Sequence, residues 1–96
     1  MSDDNLISID LTQREVKLLL RYSYPFEDVA AQLEAFKDRR GTHCLKVHPY
    51  YLPKLIGDLV YSAKKIEDER LLTELDELCT VLEMAEGRAA RAGGRR

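Results

Sequence analysis

Leu6-Ile7-Ser8-Ile9-Asp10-Leu11-Thr12 is the stretch that decides the fold. Ile7, Ile9 and Leu11 alternate with Ser8 and Asp10, the period of a half-buried strand. Thr12 with Glu15 three residues on makes a capping box, so a helix begins directly after the strand. A related pattern returns 36 positions later: Leu45-Lys46-Val47-His48, then Leu52, Leu55 and Ile56, matches Ile9-Asp10-Leu11-Thr12, then Val16, Leu19 and Leu20. The implied architecture is two strand–helix–helix units closed over one core, with strands over 6–11 and 43–48. If a twofold relates the units, the strands pair antiparallel, and both are edges unless a helix or a partner covers them.

Outward from the first strand, Val16, Leu19, Leu20 and Ser23 share one helical face, and Tyr24-Pro25 ends that helix. Pro25 suits the first turn of the next helix, where Phe26, Val29, Ala30, Leu33 and Phe36 follow helical spacing. Glu27 and Asp28 at its start and Lys37, Arg39 and Arg40 near its end suit the helix dipole, and Gly41 is the expected cap. After the second strand, Pro49 or Pro53 marks a first turn, and Leu52, Leu55, Ile56, Leu59, Ala63 and Ile66 form an apolar stripe. Glu67-Asp68-Glu69 is the expected break. Leu71, Leu75, Leu78, Leu82 and Ala85 then step as a packed seam, ended by Gly87. Residues 88–96 read as a disordered basic tail, leaving one domain over 1–87. The fold class is mainly α: a small four-helix domain carrying a two-stranded ribbon.

At 96 residues the chain can bury a core without disulfides or metal, and no apolar run is long enough to span a bilayer. The acidic, polar start Met1-Ser2-Asp3-Asp4-Asn5 is no secretory signal, so the expected compartment is the cytoplasm. Cys44 and Cys79 read as small buried apolar residues. The net charge of −2 argues against a dedicated nucleic-acid binder. Glu67 to Glu86 holds eight acids opposed by Arg70 alone, whereas Arg88, Arg91, Arg95 and Arg96 follow with no acid.

His43, Cys44, His48 and Cys79 are metal-ligand types, but adjacent His43 and Cys44 point to opposite faces of a strand and cannot converge. The expectation is a capping His48, a surface His43, a core Cys44 and no metal. Ser2, Ser8, Ser23 and Ser62 lack a nucleophile-elbow setting, and no Gly-rich phosphate loop is present. No catalytic residue, cofactor or small-molecule substrate is therefore expected. The third helix carries a second stripe of Tyr50, Lys54, Gly57 and Tyr61, bordered by Val60. Gly57 costs about 1 kcal/mol inside a helix, which room for another backbone would explain. Aromatics beside such a gap suit a protein interface.

Leu11-Thr12-x-Arg14-Glu15, Leu18-Leu19 and Val29-Ala30-x-x-Leu33 resemble the opening of the LuxR-type helix-turn-helix, and Leu45-Lys46-Val47-His48 with Lys54-Leu55 resembles its DNA-reading helix. The resemblance implies a DNA-binding regulator. The sequence departs from that pattern where Pro49 and Pro53 would fall inside the reading helix, since proline removes a hydrogen bond and clashes there. A continuous helix over 44–53 would fit the DNA reader; a strand followed by a helix fits the repeat. The leading expectation is a non-enzymatic protein–protein interaction or regulatory domain that self-associates as a homodimer. A helix-turn-helix DNA-binding regulator is the alternative.

Overall fold

A computed structural model describes the backbone of residues 6–94 and the side chains of residues 6–88. It is mostly helical, with four helices and a two-stranded antiparallel ribbon. The order is β1 (Ile7–Thr12), α1 (Gln13–Tyr22), α2 (Glu27–Phe36), β2 (Thr42–Val47), a 3-10 turn (Pro49–Tyr51), α3 (Leu52–Ala63) and α4 (Glu69–Gly94). The strands pair with Ile9 opposite Leu45 and Leu11 opposite His43. Ile9, Leu11, Leu45 and Val47 point inward and are buried, while Ser8, Asp10, Cys44 and Lys46 form the exposed outer face. α1 and α4 contact β1, α2 contacts β2, and α3 packs on α1 and α4. One apolar cluster joins the ribbon to Val16, Leu18 and Leu19 of α1, Val29 and Leu33 of α2, Leu52, Leu55 and Leu59 of α3, and Leu75, Leu78 and Leu82 of α4. Each such side chain taken from water contributes about 1.5–3 kcal/mol before entropy is charged against it.

The two junctions from strand to helix differ. At the first, the Thr12 hydroxyl accepts the Glu15 N–H at 3.2 Å, and the Glu15 carboxylate accepts the Thr12 N–H at 2.8 Å. This is the expected capping box. At the second, His48 accepts the Tyr50 N–H through Nδ1 at 3.4 Å, and a 3-10 turn intervenes before α3. Pro49 and Pro53 both fall in first turns, where a missing N–H leaves no helical bond unmade.

Several local expectations need correction. Phe26 belongs to the extended flank that follows Pro25 rather than to the buried stripe of α2, so its ring is exposed. Gly41 does not cap α2, which ends at Phe36 with Lys37 as cap. It instead turns the chain into β2 with φ +96, a conformation glycine adopts without a Cβ penalty, and its carbonyl accepts the Gln13 N–H. Cys44 is exposed, because Leu45 and Val47 occupy the inward positions and it falls on the outer face of the ribbon. Cys79 is buried, and burial with nearby Glu83 and Asp76 pushes its thiol pKa up. α4 does not stop at Gly87 but continues through Ala89, Ala90 and Ala92, residues of high helix propensity. The side chains beyond Arg88, in the expected tail, lie outside the described residues, as do residues 95 and 96 entirely.

Candidate functional site

The stripe expected on α3 starts in the 3-10 turn and runs down the helix. Tyr50 is 82% exposed, Tyr61 56% and Val60 48%. Beside them stand Tyr24 at 67% and Phe26 at 45%, both from the link between α1 and α2. Sequence reasoning left these two out; Pro25, which forces the link to be extended, was the available signal.

Lys54 joins the two groups. Its Nζ donates to the Tyr24 carbonyl at 2.6 Å and to Asp58 Oδ2 at 2.8 Å, and it lies 5.5 Å from the centre of the Phe26 ring. Asp58 also accepts the Tyr24 N–H at 2.9 Å. Both backbone groups of Tyr24 are thus held by one ion pair on α3. The Ser62 hydroxyl adds a bond to the Tyr22 carbonyl. Phe26 packs against Tyr51 with ring centres 4.4 Å apart, and Tyr50 stacks on His48 at 4.7 Å. Lys54 therefore fixes the α1–α2 link against α3 within the stripe.

A side chain at Gly57 would meet nothing within 4 Å. Among the described residues no backbone outside α3 approaches it, so the close approach expected there is not made by them. Past Val60, a groove of about 450 Å³ opens between α3 and α4. Leu59, Val60, Ala63, Leu72, Leu75 and Cys79 line it, together with Lys64 and Asp76. A separate groove of about 710 Å³ between α1 and the start of α4 is lined by charged side chains and by Leu18, Leu20 and Leu71 together. Across it Arg14 pairs with Glu74 at 2.6 Å, and on its rim Lys37 pairs with Glu34 at 2.7 Å.

The metal-ligand types are dispersed. His43 stacks on Phe36 with ring centres 4.9 Å apart and donates to the Arg39 carbonyl. Cys44 occupies the outer face, His48 the turn, and Cys79 the core. Among the described residues, no three His, Cys, Asp or Glu side chains come together as a metal set. No helix among them is long and apolar enough to cross a membrane. Compared with known proteins, the chain matches no family model, no curated protein and no solved structure.

Proposed function

We propose that this chain is a non-enzymatic protein–protein interaction domain, cytoplasmic and self-associating, whose contact surface for other proteins is the aromatic face around α3. One observation carries the reading: Tyr24, Phe26, Tyr50, Val60 and Tyr61, five exposed apolar or aromatic side chains, come from two segments that Lys54 and Asp58 tie together. Rigid aromatics supply contact area at little entropic cost and are enriched at interfaces. The room at Gly57 lets a partner backbone come close to α3. The order of strand, helix and helix in each half supports reading the domain as a pseudo-repeat. The helix-turn-helix alternative lacks its reading element, since residues 42–47 are strand and the turn at Pro49 precedes α3.

The test is co-purification from the native host, paired with sedimentation of the isolated chain. Wild type should retain a partner and sediment above its 11.0 kDa monomer mass. Tyr61→Asp should lose the partner with an unchanged circular dichroism spectrum. A strictly monomeric wild type that retains no partner would overturn the reading.

A further inference from the structure

The two strands differ at their outer edges. Lys46 in β2 turns its N–H and C=O away from β1, and the Gln32 side chain takes both. The Gln32 amide nitrogen donates to the Lys46 carbonyl at 2.7 Å, and its oxygen accepts the Lys46 N–H at 2.9 Å. A side-chain amide here stands where a neighbouring strand's peptide would stand. Because Lys46 points outward, its partner Ser8 in β1 does too, and so does Asp10 two residues on. Both are exposed, and among the described residues nothing bonds their backbone groups. At Thr12 the open edge ends, because that N–H is bonded to Glu15. β1 thus offers four unpaired groups: the N–H and C=O of Ser8 and of Asp10.

We infer that this edge takes β1 of a second copy, in an antiparallel pairing centred on Ile9 that joins two ribbons into a four-stranded sheet. The inference rests on the self-association proposed above and names the surface that makes it. A twofold at Ile9 sets Ser8 opposite Asp10 of the second copy, and the reverse. That pairing satisfies all four open groups on each side with four hydrogen bonds. It also brings charges together. Lys46 Nζ already reaches over β1 to the Ser8 hydroxyl at 2.9 Å, which is beside the position Asp10 of the second copy would occupy. Each copy contributes one such Lys46–Asp10 pair. On the inner face the central row becomes Leu45, Ile9, Ile9, Leu45, apolar throughout. The neighbouring in-phase registers are worse. Centring on Asp10 sets two like charges opposite each other. Centring on Ser8 runs Asp10 past the start of the strand, to Leu6.

Analytical ultracentrifugation of full-length protein tests this with four variants. Asp10→Pro removes an outward N–H without touching the β1–β2 ladder, so it should preserve the circular dichroism spectrum and melting temperature but leave a monomer. Asp10→Lys should weaken the dimer by about tenfold, from losing one cross-strand pair per copy. The double variant Asp10→Lys with Lys46→Asp should restore it, which a merely structural role for either residue would not produce. Tyr61→Asp should remain dimeric. A dimer that persists in Asp10→Pro and dissolves in Tyr61→Asp would overturn the edge pairing and leave self-association standing, moved to the aromatic face. A wild type that is monomeric up to millimolar concentration would overturn both.

Discussion

β1 and β2 are equal in length, are paired along their whole run and each bury two apolar residues on the inner face, yet they meet the outside differently. Ile9 and Leu45 sit opposite each other with 2% and 0% of their surfaces exposed. On the outer edge of β2, Gln32 from α2 takes the Lys46 groups and leaves those of Cys44 without a bond among the described residues, whereas on β1 both Ser8 and Asp10 are without one. The helix after β1 starts in a two-way capping box; the helix after β2 follows a 3-10 turn with one long bond. Burial of the inner faces sets the fold and treats the strands alike. Polar groups at the margins distinguish them, and with them the surface available to a partner.

The largest effects should fall where the strands are equivalent. Ile9→Ala and Leu45→Ala should each cost about 2–5 kcal/mol in urea unfolding, because both leave a cavity in one shared core. A loss below about 1 kcal/mol for either would break the equivalence. Next comes the asymmetry of the edges. Gln32→Ala should cost about 1 kcal/mol through its lost hydrogen bonds. More informatively, it frees the Lys46 groups beside the already open ones of Cys44, giving each copy a second two-residue edge, so sedimentation should reveal species larger than a dimer. A variant that stays dimeric would mean that Gln32 does not guard β2. Thr12→Ala should cost about 1 kcal/mol in thermal unfolding by removing the cap. His48→Ala should cost less, since its capping bond is 3.4 Å long.

The smallest effect is electrostatic. Hydrogen bonding to Arg14 holds the Glu74 carboxyl below the usual carboxylate range. A folded-state pKa lower than the unfolded one contributes stability above the unfolded value, and this is lost as pH falls through the folded value. Arg14→Gln should therefore be slightly less stable than wild type at neutral pH, and the two should converge below about pH 4. A gap that widens in acid would contradict this sign.

Much of the fold was legible because its signals are local. Alternation marked both strands, Thr12 with Glu15 marked α1, and the leucine spacing of α3 and α4 marked their buried stripes. Lys54 was placed on the exposed stripe, but its hold on Tyr24, 30 residues away, depends on tertiary approach. Gln32 carried no signal, because its role depends on reaching Lys46 across the α2–β2 turn. Phe26 fitted the helical period and still lies outside the core, because it is the extended N-cap of α2 rather than a residue of the helix. Gly87 reads as a stop, yet alanines on its far side continue the helix.

The most direct measurement of the central claim uses Cys44, which is exposed on β2 two rows from the opposed Lys46. In a Cys79→Ala background, spin labels on Cys44 report the separation of the two copies by dipolar spectroscopy, at concentrations where the chain sediments as a dimer. Three strand spacings and a two-residue offset put the Cα atoms about 16 Å apart in the sheet centred on Ile9, so the labels should give a distribution of roughly 15–25 Å that disappears in Asp10→Pro. A dimer whose Cys44 labels lie beyond roughly 35 Å would contradict pairing through β1.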